Sequence, residues 1–145
     1  MRLINHQTQP CPVSCVSTCL AMLLDRPAEA VIEQFHKRYR EHGISMREML
    51  SQLAIPFNSF DTCDDRLLDS VGAYLVVVPS LNITGGTHQI LIEVTEDDYY
   101  VIDPVMGRQG RRYYVNRGAA SGDLEIELNS FTIEAFIDAS WLRSR

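Results

Sequence analysis

No stretch of the chain approaches the ~20 consecutive apolar residues of a membrane-spanning helix. The opening Met1-Arg2-Leu3-Ile4-Asn5-His6 also lacks the apolar run of a secretory signal. A soluble, cytoplasmic protein is therefore expected. Positive charge is scarce as well: 13 Lys and Arg stand against 19 Asp and Glu, for a net charge of −6. That balance speaks against nucleic acid or an anionic membrane as the main partner. Cysteine is sparse, with 4 in 145 residues. Cys11, Cys15 and Cys19 are four apart and Cys63 stands away, a set that reads as free thiols in a reducing compartment. Internal repeats, low-complexity tracts and domain-dividing linkers are all missing, so residues 1–145 read as one domain. What is there is an ordinary globular composition, 46% hydrophobic, enough for a core without metals or disulfides. One patch departs from the acidic background: Arg108, Arg111, Arg112 and Arg117 read as a solvated loop, with contact to an anionic substrate or partner as the sharper alternative.

The chain changes character near its middle. Residues 14–55 read as helices and 73–128 as strands, which points to an α+β fold rather than alternating parallel units. Ser14 is placed to cap a helix running from Cys15 to Leu24, apolar nearly all round and hence central and buried. Pro27 opens a second helix with a stripe of Val31, Ile32, Phe35 and Tyr39, ended by Gly43. Ser45 and Glu48 form a capping box for a short third helix that Pro56 stops. Ala73–Val78 is apolar on both parities and predicts a strand covered on both faces. Gln89–Val94 and Tyr99–Ile102 follow as a hairpin turned at Asp97-Asp98. Leu124–Leu128 alternates apolar and acidic residues, the pattern of a half-exposed antiparallel strand. The tail from Phe131 to Trp141 reads as a closing helix packed by Phe131, Ile133, Phe136, Ile137 and Trp141.

Cys15 carries the chemical question. A cysteine in the first turn of a helix has its thiol pKa lowered by the positive end of the helix dipole. Alone it reads as a small core hydrophobe. Gln9, six residues upstream in a Pro-flanked loop, changes that reading. Acyl transfer develops an oxyanion that needs fixed donors, and a side-chain amide beside the cysteine's own backbone N–H supplies them. Gln7 competes for this role at a less suitable spacing. His88 follows the turn Thr84-Gly85-Gly86-Thr87 at the head of a strand, a place for a general base. The hairpin returns Asp103 to the same end, where its carboxylate can orient the His88 ring. His6, His36 and His42 read as bystanders. Cys11, Cys15 and Cys19 lack the close pairs of a structural zinc site, so neither a metal nor another cofactor is expected.

Gln9, Cys15, Cys19-Leu20-Ala21-Met22, His88 and Asp103-Pro104, in this order, resemble the bacteriocin-leader (double-glycine) peptidase family of papain-like cysteine peptidases. The tail Phe131–Phe136 with Trp141 is similar to that family's closing segment. The resemblance implies a papain-like fold, N-terminal helices packed on a C-terminal antiparallel sheet. It implies Cys15 as nucleophile, His88 as general base and later acid, Asp103 as orienter and Gln9 as oxyanion donor. Cleavage of a peptide or isopeptide bond in a peptide or protein substrate is the activity so implied. Acyl transfer, transpeptidation and deamidation through the same thioester are alternatives, as is a catalytically silent binding module. Ser14-Cys15-Val16 stands where family members commonly have Asp-Cys-Gly, so the valine adds bulk where substrate backbone passes. The membrane and ATPase domains of transporter-fused members do not occur within these residues.

Overall fold

Ser14 and Ser45 both stand at helix starts, but only one caps with its side chain. The computed structural model describes residues 1–145 throughout. Helix α1 spans Cys15–Leu24. The Ser14 hydroxyl bonds back to the Cys11 carbonyl at 3.1 Å and does not cap α1. The leading N–H groups of the helix, which have no intrahelical partner, therefore stay open to whatever lies at its head. Ser45 caps α4 (Met46–Gln52) as expected, accepting from the Glu48 N–H at 3.2 Å. Between them α2 (Ala28–Val31) runs through a π-turn (Ile32–His36) into α3 (Lys37–His42), closed by Gly43 at φ 65°. The positive φ there is the reason for glycine.

The β half is a five-stranded antiparallel sheet in the order β1-β7-β2-β3-β4. Its strands are β1 (Asn58–Thr62), β2 (Gly72–Pro79), β3 (Thr87–Val94), β4 (Tyr99–Ile102) and β7 (Thr132–Asp138). The α+β expectation is met, and β2 is buried on both faces as its composition requires. One face carries Ala73, Leu75, Leu91, Ala135 and Ile137 against Val16, Leu20, Leu23 and Leu50 of the helices. The opposite face carries Tyr74, Val76, Ile90, Ile92 and Ile133, covered by Tyr114, Leu128 and Phe131.

Two expectations need correction. The tail is a strand for most of its length, and only Ala139–Ser144 forms a helix, α5. Strand β7 pairs with both β1 and β2, so its backbone groups are satisfied in the interior of the sheet. The acidic-apolar strand is β6 (Glu125–Glu127), and its partner β5 (Tyr113–Val115) lies parallel to it. The chain from Val115 loops back before β6 starts, so both strands run in one direction. No helix is long and apolar enough to cross a membrane.

Candidate active site

Helix α1 lies along β3, and this contact brings the two halves of the molecule together. One turn into the helix, the Cys19 thiol donates to the Gln89 carbonyl at 3.4 Å. Cys15, at the head of the helix, is thereby set beside His88. Strand β4 pairs with β3 from Val94↔Tyr99 to Leu91↔Ile102. It ends there, and Asp103 leaves the sheet next to the start of β3. His88 Nε2 meets Asp103 Oδ1 at 2.7 Å. The same ring lines one cavity with the Cys15 thiol, near enough to act on its pKa. Because Nε2 is committed to the carboxylate, Nδ1 is the nitrogen that faces the sulfur.

Asp103 is held by more than the histidine. Its Oδ1 also accepts from the Val105 N–H at 2.9 Å, and Oδ2 accepts from the Tyr114 N–H at 2.8 Å. With three donors and a side chain only 1% exposed, the carboxylate is fixed in both position and orientation. The ring of His6 bonds the Asp103 carbonyl at 2.9 Å, and the Gln9 N–H donates to the Pro104 carbonyl at 2.7 Å. The N-terminal arm thus braces the turn that carries Asp103. His6, a bystander on sequence grounds, is part of that brace. The Asp103-Pro104-Val105 bond is an Asx turn, legible in principle from the Asp-Pro pair. The Tyr114 contact is made by backbone and leaves no mark on residue identity.

The electrostatics separate the four cysteines, all of them free. Burial pushes the Cys15 thiol up. The hydrogen bond and charge of His88, with backbone bonds from Gln89 and Val16, outweigh that and leave its pKa below the ordinary value. The Val16 bond is to one of the N–H groups that Ser14 leaves uncapped. Burial also acts to lower His88, but Asp103 and Cys15 together raise it to about 9. Each group thus favours the charged form of the other: the ring lowers the thiol pKa, and the sulfur helps to raise that of the ring. Cys19 is fully buried and its thiol is pushed well up by burial.

Gln9 is 2% exposed and lines a cavity with His88, Asp103, Arg108, Arg111 and Arg112. Its Nε2 donates one hydrogen to the Cys11 carbonyl at 2.8 Å, leaving the second without a protein acceptor. Gln7 is removed from contention: its amide caps α2 at the Ala28 N–H and donates to the Arg26 carbonyl. Of the four clustered arginines, three line this cavity, while Arg117 faces Asp65 and the Leu128 carbonyl. Val16 is buried in the helical core and forms one wall of a second cavity, on the Cys15 side. No group of three or more His, Cys, Asp or Glu side chains converges in a way that could hold a metal ion. No family model matches the chain, and neither a curated protein nor a solved structure matches it.

What the arrangement can do chemically follows from its parts. A thiolate can attack an electrophilic carbon, the adjacent imidazolium can hand a proton to a leaving group, and the carboxylate keeps that imidazolium charged and aimed.

Proposed function

We propose that this chain is a papain-like cysteine peptidase that cleaves a peptide or isopeptide bond in a cytoplasmic peptide or protein substrate. The observation that carries the reading is one imidazole that is bonded to a triply held carboxylate and lies beside a thiol whose pKa it lowers. Cys15 thiolate adds to the substrate carbonyl, forming a C–S bond and an oxyanion. The second Gln9 Nε2 hydrogen and the Cys15 backbone N–H are the donors for that oxygen. As the C–N bond breaks, His88 gives its proton from Nδ1 to the departing amine, leaving a thioester and a neutral ring. The ring then takes a proton from water as the hydroxyl adds to the thioester. Loss of the sulfur releases the carboxylic acid and restores the ion pair.

Cys15→Ala should reduce hydrolysis of a mixed peptide substrate to background while leaving the melting temperature nearly unchanged. Wild-type kcat/KM should follow a bell. It climbs as Cys15 ionises below its ordinary 9.0 and falls as His88 loses its proton near pH 9. Iodoacetamide should alkylate Cys15 ahead of Cys11 and Cys63, along the same acid limb. Equal alkylation of the three sulfurs, or full activity in Cys15→Ala, defeats the proposal.

A further inference from the structure

Glu134 is a carboxylate that the sheet turns toward the nucleophile and then leaves without a partner. In β7, Ile133 pairs with Val76 and Ala135 with Leu75, so Glu134 is the extra residue of a β-bulge. Ile133 packs on the far face of the sheet and Ala135 on the helix face. The change of parity between them turns Glu134 into the cavity it shares with Cys15, Val16, Tyr39 and Met46, whose volume is about 240 Å³. Bulges commonly re-aim a side chain in this way.

The nearest cation is engaged elsewhere. The Arg47 guanidinium donates to the Glu134 carbonyl at 2.9 Å, to the Phe60 carbonyl and to the Asp61 carboxylate at 2.9 Å. The Glu134 carboxylate forms no ion pair, and its Oε1 is buried with no hydrogen-bond partner. Burial pushes the Glu134 pKa up, Arg47 opposes that, and Asp61 reinforces it. The other titratable side chains on the cavity wall are Tyr39, Cys15 and His88, and none of them is hydrogen-bonded to Glu134; His88 is bonded to Asp103. A carboxylate oxygen buried without a donor is a standing cost to the folded protein. The cavity is far larger than the ~10–15 Å³ that one water needs, so its shape admits a side chain. Val16 and Met46 offer apolar wall for a methylene stem, with Glu134 available to the charged head.

We infer that this cavity is a specificity pocket for the acyl side of the substrate, and that Glu134 selects a lysine or arginine side chain there. The assignment to the acyl side follows because Cys15 itself lines the cavity, and the acyl part is what stays bonded to that sulfur. This inference rests on Cys15 being the acyl-accepting nucleophile.

The test uses peptidyl vinyl sulfones that carry Lys, Arg, Gln or norleucine at each of the four positions preceding the reactive group. The readout is the rate at which Cys15 is alkylated in the full-length protein. At one position the cationic members should react about tenfold or more faster than Gln or norleucine, the value of one desolvated charge-assisted contact. In Glu134→Gln that ratio should fall to near one. In Glu134→Lys a fifth, glutamate-bearing vinyl sulfone should overtake the lysine-bearing one. Equal rates for all four side chains at every position in the wild-type protein overturn the inference while leaving Cys15 as nucleophile, whether or not either variant folds. A ratio unchanged in Glu134→Gln overturns it too. If no peptide probe reacts faster with Cys15 than with Cys63, the nucleophile assignment falls and this inference falls with it.

Discussion

The two cavities that flank His88 have opposite electrical character and opposite construction. One is lined by Gln9, Arg108, Arg111 and Arg112, contributed by the N-terminal arm and the loop after β4. The other is lined by Cys15, Tyr39, Met46 and Glu134, contributed by α1, α3, α4 and β7. The first is assembled from loops braced by backbone hydrogen bonds, the second from packed regular elements. A single imidazole belongs to both. The contrast teaches that fixing the His88 ring and lining the Cys15 cavity fall to different parts of this chain, so each can be disturbed separately.

Asp103→Ala should have the largest effect on the loop-built side. It removes the one carboxylate facing those arginines and leaves the Val105 and Tyr114 N–H groups without an acceptor. Each buried donor left unpaired costs about 1–3 kcal/mol, so a measurable fall in melting temperature should accompany lower turnover. The His88 pKa, followed by NMR, should drop from about 9 as its main support is lost. Since that pKa is raised on folding, its stabilisation is complete below the unfolded value near 6.5 and vanishes as pH rises through about 9. Wild-type and Asp103→Ala stabilities should therefore converge partly in alkali, and a difference independent of pH argues against this linkage. Gln9→Ala should lower kcat by about ten- to a thousandfold, the range for one oxyanion donor, with KM little changed. A change in KM alone would mean that Gln9 binds substrate instead. Arg117→Ala should have the smallest effect. Its side chain faces Asp65 with about half its surface exposed, and such pairs contribute about 0–1 kcal/mol. Turnover should stay near that of wild type, since Arg117 lies outside the cavity lined by the other three arginines, and a clear loss would extend the cationic wall to that residue.

The sequence made the helical half and the β3–β4 hairpin legible because their patterns are unambiguous. Ser45 with Glu48, the double-parity run of β2, and the Asp97-Asp98 turn each admit one reading. The proximity of His88 and Asp103 follows from hairpin length alone. The tail misled for a physical reason. Ile133, Phe136 and Ile137 fall at helical spacing because the bulge at Glu134 breaks strand alternation. The same bulge hid Glu134, whose direction depends on pairing with a strand some sixty residues away. Strand β1 has little apolar signal, since as an edge strand it is largely exposed. Ser14 shows the limit of capping rules: its backbone (φ −105°, ψ 21°) is not extended like that of Ser45, and its hydroxyl oxygen accepts from the Cys11 N–H instead of a helix N–H.

The N-terminal arm has a kinetic consequence. The contacts that complete the Cys15–His88–Asp103 site join residues far apart in the chain: His6 to Asp103 across 97 positions, and Cys15 to His88 across about half of the 145 residues. Closing such long loops is entropically unfavourable until the intervening strands are in place. A chain in which these contacts have not closed lacks the imidazole whose hydrogen bond and charge lower the Cys15 pKa.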